Sequence, residues 1–506
     1  MVVPVLLWMG CGQVYRPVVI PCSAGGVPGC PVETPPTPDN FHAVFSINTN
    51  LLNYPGGAMQ IDVSGDTIIG ETPTDDPTAP NLGDNPTSAA ILSNDSRVFV
   101  TSAGSVLSAG LDVVSSFTPV FQSRLAIGLG AVATIGLPSG SQPVFVNTTQ
   151  SNAVYVANFG TNSVSAINTS SNVVSNTATV GLNPVALAEM PNGLKIYVAN
   201  QGDNTVSSLN AVDLSQNTVT GFSGVAPVWV VARGDNQKVY VVTQGDGQLV
   251  TIDTATDTVS SSISMGGGAS GANFIYFDPI LNRLYVVNPV TSTIFVFSDT
   301  GGANDTPLLL ATIPFTSGSA ACPNGCTPVS VTALPDGSRF YVASYQANAA
   351  CPQGSGVTGA CVIPGLTVFD ANTFTLMYPN VPTLTLLTGP PACTVSATNP
   401  CTTSWPFSAS QSAVPPVATC ATAPGTLYSP SATRFRVFTT AAEDGSHVYM
   451  SMCDAGAIAD IITNGNNANN TGGGIPADTL ITDLLTAPAA SSGTALQNPI
   501  FLLAGQ

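Results

Sequence analysis

Lysine and glutamate are almost missing from this 506-residue chain, which has two of the first and four of the second. Both are good helix formers, so their scarcity argues against helical surfaces. Charged residues of every kind make up 8%, against about a quarter in an average soluble domain. Ten basic residues face 28 acidic ones, for a net charge of −18. That balance argues against a nucleic-acid partner, because binding one needs a basic face that neutralises phosphates. It suits an acidic exported surface. Past the N-terminus no 18-residue apolar run occurs, so nothing there reads as a membrane-spanning helix. Histidine occurs only at 42 and 447, which leaves little material for general acid–base chemistry. No Gly-x-Ser-x-Gly elbow, no P-loop, no EF-hand pattern and no Gly-x-Gly-x-x-Gly opening a helix is present.

What the chain does hold is Gly (48), Pro (41) and much Ser, Thr, Asn and Val, the composition of short strands joined by tight turns. Its first 11 residues form a short apolar stretch ending in Gly10-Cys11. The stretch is too short to span a bilayer and matches a signal-peptide core. Its end resembles a bacterial lipoprotein cleavage site, which implies acylation of Cys11. No Lys or Arg precedes the run, which leaves room for a start upstream of Met1. Residues 12–40 are rich in proline and poor in core formers, so they read as an extended tether.

Eleven cysteines are an odd number. With Cys11 assigned to the lipid, ten remain. By separation they fall into Cys22/Cys30, Cys322/Cys326, Cys351/Cys361, Cys393/Cys401 and Cys420/Cys453, although sequence alone fixes no connectivity. Disulfides persist in oxidising compartments, which agrees with export. A structural zinc site is the rival reading. Only Cys322-Pro-Asn-Gly-Cys326 has suitable spacing and both histidines are remote, so disulfides are expected.

One short pattern recurs: Phe99 in "VFVTS", Tyr155 in "VYVAN", Tyr197 in "IYVAN", Tyr240 in "VYVVT", Tyr285 in "LYVVN", Tyr341 in "FYVAS" and Tyr449 in "VYMSM". The successive spacings are 56, 42, 43, 45, 56 and 108. A period near 43 with several strands per unit is the mark of propeller blades. Residues 182–224 show a whole unit of four strands separated by "PNG", "QGDN" and "LSQN", with Gly193 free to take positive φ. These motifs resemble the YVTN family of β-propeller repeats, found in bacterial and archaeal surface-layer and YncE-like proteins. The resemblance implies a propeller in an exported or cell-surface protein and no single activity.

The expected fold is therefore all-β: one propeller of four-stranded blades over 41–506. Seven motifs give seven blades. The strands "HAVFSIN", "AMQIDVSG" and "DTIIGE", with "NPIFLLAGQ" from the C-terminus, supply an eighth that closes the ring. Eight is the expectation, seven the alternative, and the deciding segment is 476–485, read as a strand or a short helix. The long last spacing places a disulfide-stapled insertion beside the ring at about 376–430, holding Trp405. Trp229 fits a core position of an inner strand. Arg233 and Arg339 flank turns at blade edges, and Asp203, Asp246, Asp336 and Asp444 sit where turn carboxylates bind backbone N–H groups.

No catalytic residue, cofactor or metal site is read from this sequence. The leading functional expectation is a non-enzymatic binding or scaffolding module of the cell envelope, lipid-anchored at the outer membrane, periplasm or surface. Its partner would be an envelope protein, a polysaccharide or a small ligand. Two alternatives stand: a propeller enzyme, lactonase-like or quinone-dependent, and a structural envelope or filament subunit.

Overall fold

The computed structural model describes residues 43–50, 56–63, 66–74, 85–93, 97–102, 105–110, 130–150, 152–266, 270–299, 305–351, 357–377, 413–464, 477–486 and 496–505. Cys11, Cys22, Cys30, His42, Cys393, Cys401 and Trp405 lie outside them. The described chain is all-β. Its helical elements are two three-residue 3-10 turns, Ala418–Cys420 and Cys453–Ala455. No helix among the described residues is long and apolar enough to cross a membrane.

Among the described residues the strands form eight antiparallel sheets, seven of four strands and one of three. We number these sheets as blades and letter their strands A to D from the inside outward. Blade 1 combines Asn498–Ala504 (A) with Ala43–Thr49 (B), Gly57–Asp62 (C) and Thr67–Pro73 (D). Blade 2 holds Ser88–Ile91, Arg97–Ser102, Ser105–Gly110 and Gly130–Gly136. Blade 3 holds Pro143–Asn147, Ala153–Asn158, Ser163–Asn168 and Val173–Thr179, and blade 4 Pro184–Glu189, Lys195–Asn200, Thr205–Asn210 and Gln216–Thr218. Blade 5 holds Pro227–Ala232, Lys238–Thr243, Gln248–Asp253 and Thr258–Ser264, and blade 6 Phe274–Asp278, Arg283–Asn288, Thr293–Ser298 and Leu308–Pro314. Blade 7 has three strands among the described residues, Thr327–Ala333, Arg339–Asn348 and Cys361–Asp370. Blade 8 holds Val437–Ala441, His447–Met452, Ala457–Ile462 and Thr479–Leu485.

Each A strand touches the A strand of the next blade, from blade 1 round to blade 8 and back. Within blade 1 the C-terminal strand pairs with the N-terminal one, Val44 opposite Ala504 and Phe45 opposite Leu503. Segment 476–485, ambiguous in the sequence, supplies the D strand of blade 8, with Leu485 opposite Ala457.

Burial follows position in the blade. Middle strands lie between neighbouring blades and are covered on both faces, so Tyr197, Tyr240, Tyr285, Tyr341 and Tyr449 of the recurring motif are all fully buried. Outer strands face water on one side and are mostly exposed, as in Val173–Thr179. The A–B turn of blade 4 needs a left-handed residue, and Gly193 supplies it at φ +66°.

Blade 7 differs in shape. Its B and C strands are ten residues long, and the disulfide Cys351–Cys361 joins their far ends. Two more disulfides, Cys322–Cys326 and Cys420–Cys453, complete those among the described residues. Of the segment expected as an insertion, 376–430, residues 413–430 are described, and with 431–436 they form one run that leads into blade 8. It starts along blade 7, where Val414 exchanges backbone hydrogen bonds with Val362. From there it runs across the mouth of the central channel before entering blade 8.

Candidate functional site

The channel mouth is built from two parts, the turns of the ring and the crossing segment, which we call the strap. Gln201 and Gln244 stand at the same place in their repeats, just after the B strands of blades 4 and 5. Both amides are spent on the strap. Gln201 donates to the Tyr428 carbonyl at 3.1 Å and accepts from the Tyr428 N–H at 3.2 Å. Gln244 donates to the Thr426 carbonyl at 3.0 Å. Asn85, at the entry to blade 2, donates to the Pro430 carbonyl at 3.0 Å. These bonds tie the strap backbone to the turns of three blades. The disulfide Cys420–Cys453 and a bond from the Val417 N–H to Asp454 (2.8 Å) fix its other end.

Beneath the strap the channel is filled. Phe145 of blade 3 meets Trp229 of blade 5 at 5.2 Å between ring centroids. Phe274 of blade 6 meets Phe438 of blade 8 at 5.7 Å. Those blades are not neighbours, so these rings meet across the axis. Phe435 of the strap touches Trp229 and Phe274 at 5.6 and 5.8 Å, and Phe438 touches Phe501 of blade 1 at 4.7 Å. Edge-to-face and tilted pairs of this kind add to the burial of the rings. Trp229 is thus a core residue of an inner strand.

Arg434 stands at the boundary between the aromatic plug and the mouth. Its guanidinium donates to the Val185 carbonyl at 2.6 Å and to the Val228 carbonyl. It lies over Trp229 at 4.5 Å and over Tyr428 at 5.0 Å. No carboxylate among the described residues comes within ion-pair reach of it, unlike Arg436, which holds Asp454 at 2.7 Å. Burial pushes the Arg434 guanidinium down to about 10, against a smaller upward pull from Tyr428, so it stays cationic at neutral pH. The mouth contains a cavity of about 60 Å³ lined by Arg434, Arg436, Gln244, Asn273, Tyr345 and Tyr428. That is room for a group of carboxylate size.

Away from the mouth, the polar residues form latches between blades. The first residue of a B strand reaches the connection after the C strand of the next blade. Lys195 binds Asp257 at 2.9 Å, and the Tyr197 hydroxyl donates to the same carboxylate. Lys238 binds Asp299 at 2.8 Å, joined there by Arg233 and the Tyr240 hydroxyl. Arg339 and the Tyr341 hydroxyl both bind Asp478, each at 2.5 Å. Arg97 donates to Asn172 at 2.9 Å, and Arg283 to the Ala371 carbonyl. Burial works to raise the Asp299 carboxyl, but Lys238, Tyr240 and Arg233 outweigh it and hold it below its ordinary value. Arg233 and Arg339 therefore serve blade contacts and do not converge on the channel.

The other residues singled out in the sequence are placed as follows. Asp203, Asp246, Asp336 and Asp444 accept bonds from turn groups, among them the N–H groups of Leu182, Val225, Ser338 and Ser446. His447 is buried between blades 8 and 1, with Nε2 3.2 Å from Asp66 Oδ1. Arg434 was missed by sequence reasoning, because the sequence shows it only as one of two arginines in "TRFRVF" ahead of an inner strand.

No protein-family model matches this chain, and no curated protein matches it. Several solved structures are similar to it. A protein described as a "putative 6-phosphogluconolactonase" from Bacteroides fragilis is 11% identical, with a TM-score of 0.47, covering 94% of this chain and 100% of that one. The β-propeller domain of Cps50 (Swd1) from Myceliophteria thermophila is 10% identical, with a TM-score of 0.42 and coverage of 58% and 85%. Hydrazine synthase from Kuenenia stuttgartiensis is 13% identical, with a TM-score of 0.41 and coverage of 64% and 78%.

Proposed function

We propose that this chain is a non-enzymatic binding propeller of the cell envelope, of the YVTN-repeat type, exported and anchored through a lipid on Cys11. Three disulfides among the described residues support an oxidising compartment. The strapped mouth is the binding face, and the ligand presents a carboxylate to Arg434. The carrying observation is the Arg434 guanidinium, held in place by two backbone carbonyls yet without an acidic partner among the described residues. A cation fixed in this way on a strongly acidic molecule selects an anion at one point. The adjoining amide of Asn273 and the rings of Tyr345 and Tyr428 suit hydroxyl groups and sugar faces. The small cavity favours recognition of a chain end over enclosure of a whole substrate. An acidic envelope glycan is the ligand class that fits.

Calorimetric titration with oligogalacturonate and with a neutral oligoglucan tests this reading. The acidic oligomer should bind, the neutral one should not, and Arg434→Met should weaken the first at least about tenfold. Equal binding of both oligomers, or of the acidic one by wild type and variant, would overturn it.

A further inference from the structure

The interface between blade 8 and blade 1 departs from the other latches. At blades 2, 4, 5, 6 and 7 the B strand begins with a permanent cation: Arg97, Lys195, Lys238, Arg283 or Arg339. At blade 8 it begins with His447. The residue it meets, Asp66, has φ +49°, matching Asn172 (+53°), Asp257 (+53°) and Asp478 (+57°) in the corresponding turns. Opposite the motif tyrosine on the C strand, blades 3 to 7 carry Ala166, Ser208, Thr251, Val296 and Val368. Blade 8 carries Asp460 there, opposite Tyr449. This seam has exchanged a fixed positive charge for an imidazole and added a carboxylate, with buried Asp62 of blade 1 nearby.

The polar atoms at the seam are left unfilled. Asp460 is fully buried and neither of its carboxylate oxygens has a hydrogen-bond partner. The Tyr449 hydroxyl also lacks one, and Asp66 Oδ1 and His447 Nε2 face each other at 3.2 Å. At blades 4, 5 and 7 the tyrosine hydroxyl donates to the latch carboxylate, as Tyr341 does to Asp478. A cluster of buried unpaired groups calls for an occupant.

The tautomer of His447 narrows what that occupant is. Ser446 Oγ donates to Asp444 Oδ1 at 2.7 Å, so it accepts from His447 Nδ1–H, also at 2.7 Å. The neutral ring then carries its lone pair on Nε2, facing Asp66 and Asp460. A metal-binding histidine is held in the same way, with its other nitrogen donating to a fixed acceptor. Without a cation, a proton on Nε2 meets Asp66, and buried Asp460 must hold a proton of its own to pair with Asp66. A divalent cation answers both. The candidate ligand atoms of Asp66, His447 and Asp460 lie within 4.8 Å of one another. Tetrahedral zinc wants its ligands about 3.3 Å apart, and the His447–Asp66 pair is already at 3.2 Å. Small carboxylate rotations close the rest.

We propose that Asp66, His447 and Asp460 bind a divalent transition-metal ion, zinc by first choice, that clasps the last complete blade to the N-terminal strands. Imidazole selects zinc over calcium or magnesium, and a fourth position is open to water or the Tyr449 oxygen.

The test uses the intact protein, stripped with a chelator and titrated with Zn²⁺ against a chromophoric competitor, with the melting temperature followed in parallel. One equivalent should bind and raise the melting temperature by several degrees. Asp460→Asn should bind at least about a hundredfold more weakly, while Asp257→Asn at an ordinary latch should bind as wild type does. If Asp460→Asn fails to fold, His447→Arg provides the second variant. It rebuilds the ordinary latch, and it should fold and lose all response to zinc. Absence of stoichiometric zinc binding by the wild type, preference for Ca²⁺ over Zn²⁺, or unchanged zinc binding in His447→Arg would each overturn the assignment.

Discussion

Lys238, Arg233 and the Tyr240 hydroxyl all meet at one carboxylate, Asp299, whose side chain is fully buried. Removing that carboxylate leaves two cations buried without it, so Asp299→Asn should cost about 3–5 kcal/mol at neutral pH. The pH dependence has a fixed sign. The folded carboxyl lies below its ordinary value, so the stability it contributes is complete above about pH 4 and is lost as pH falls through the lower folded value. The difference in melting temperature between wild type and variant should be flat from pH 7 to 5 and should shrink below pH 4. A difference that grew on acidification would refute the latch as the origin of the effect. This arrangement was not legible in the sequence. Nothing in the sequence sets Asp257, Asp299 and Asp478 apart from the other aspartates. Their partners stand in the preceding blade, 62 residues away for Lys195 and Asp257, and no local pattern shows that distance. Asp203, Asp246, Asp336 and Asp444, which each bind a group two or three residues away and reach 21 residues at most, were read for what they are.

The strap is the element whose position depends most on a covalent tie. The Cys420–Cys453 disulfide closes a separation of 33 residues, and by loop entropy its loss should cost about 3–4 kcal/mol. In Cys420→Ala/Cys453→Ala the ring should still fold, because the strap contributes no strand to any blade. Hydrogen exchange should quicken over 420–434, and Trp229 emission should shift to the red as Arg434 and Phe435 withdraw from it. Protection of the strap equal to wild type would show that Gln201, Gln244 and Asn85 hold it unaided. At this scale the sequence was informative wherever the repeat is regular. Aromatic-Val motifs with turn residues at matching offsets marked the B strands, and "NPIFLLAGQ" marked an A strand. Segment 476–485 stayed ambiguous because a D strand is half exposed and its pattern is weak. The crossing of the strap left no mark in the sequence, because its bonds to Gln201, Gln244 and Asn85 link residues 182 to 345 positions apart.

For the whole molecule the decisive contact is the seam at blade 1, where strands from the two ends of the described chain lie side by side. Asn498–Ala504 covers the edge of Ala43–Thr49 and touches the A strands of blades 2 and 8. It buries Ile500 and Leu502 and lays Phe501 against Phe438. The Asn498 side chain also donates to the Cys453 carbonyl at 2.8 Å, tying closure to the strap's anchor. Deleting residues 496–506 removes this strand. Ile500 and Leu502 alone represent about 3–6 kcal/mol of burial, and the deletion bares an inner strand edge that invites pairing with another chain. The truncated protein should melt lower and run as oligomers or aggregates on size exclusion. Excising 385–410 should instead leave the ring monodisperse with an unchanged melting temperature, since all the described strands lie outside that stretch. The two deletions separate closure from decoration. A C-terminal truncation as stable and monodisperse as the intact chain would mean that the A-strand contacts of the remaining blades suffice to hold the ring. The pairing of Val44 with Ala504 would then be a consequence of closure and not its cause.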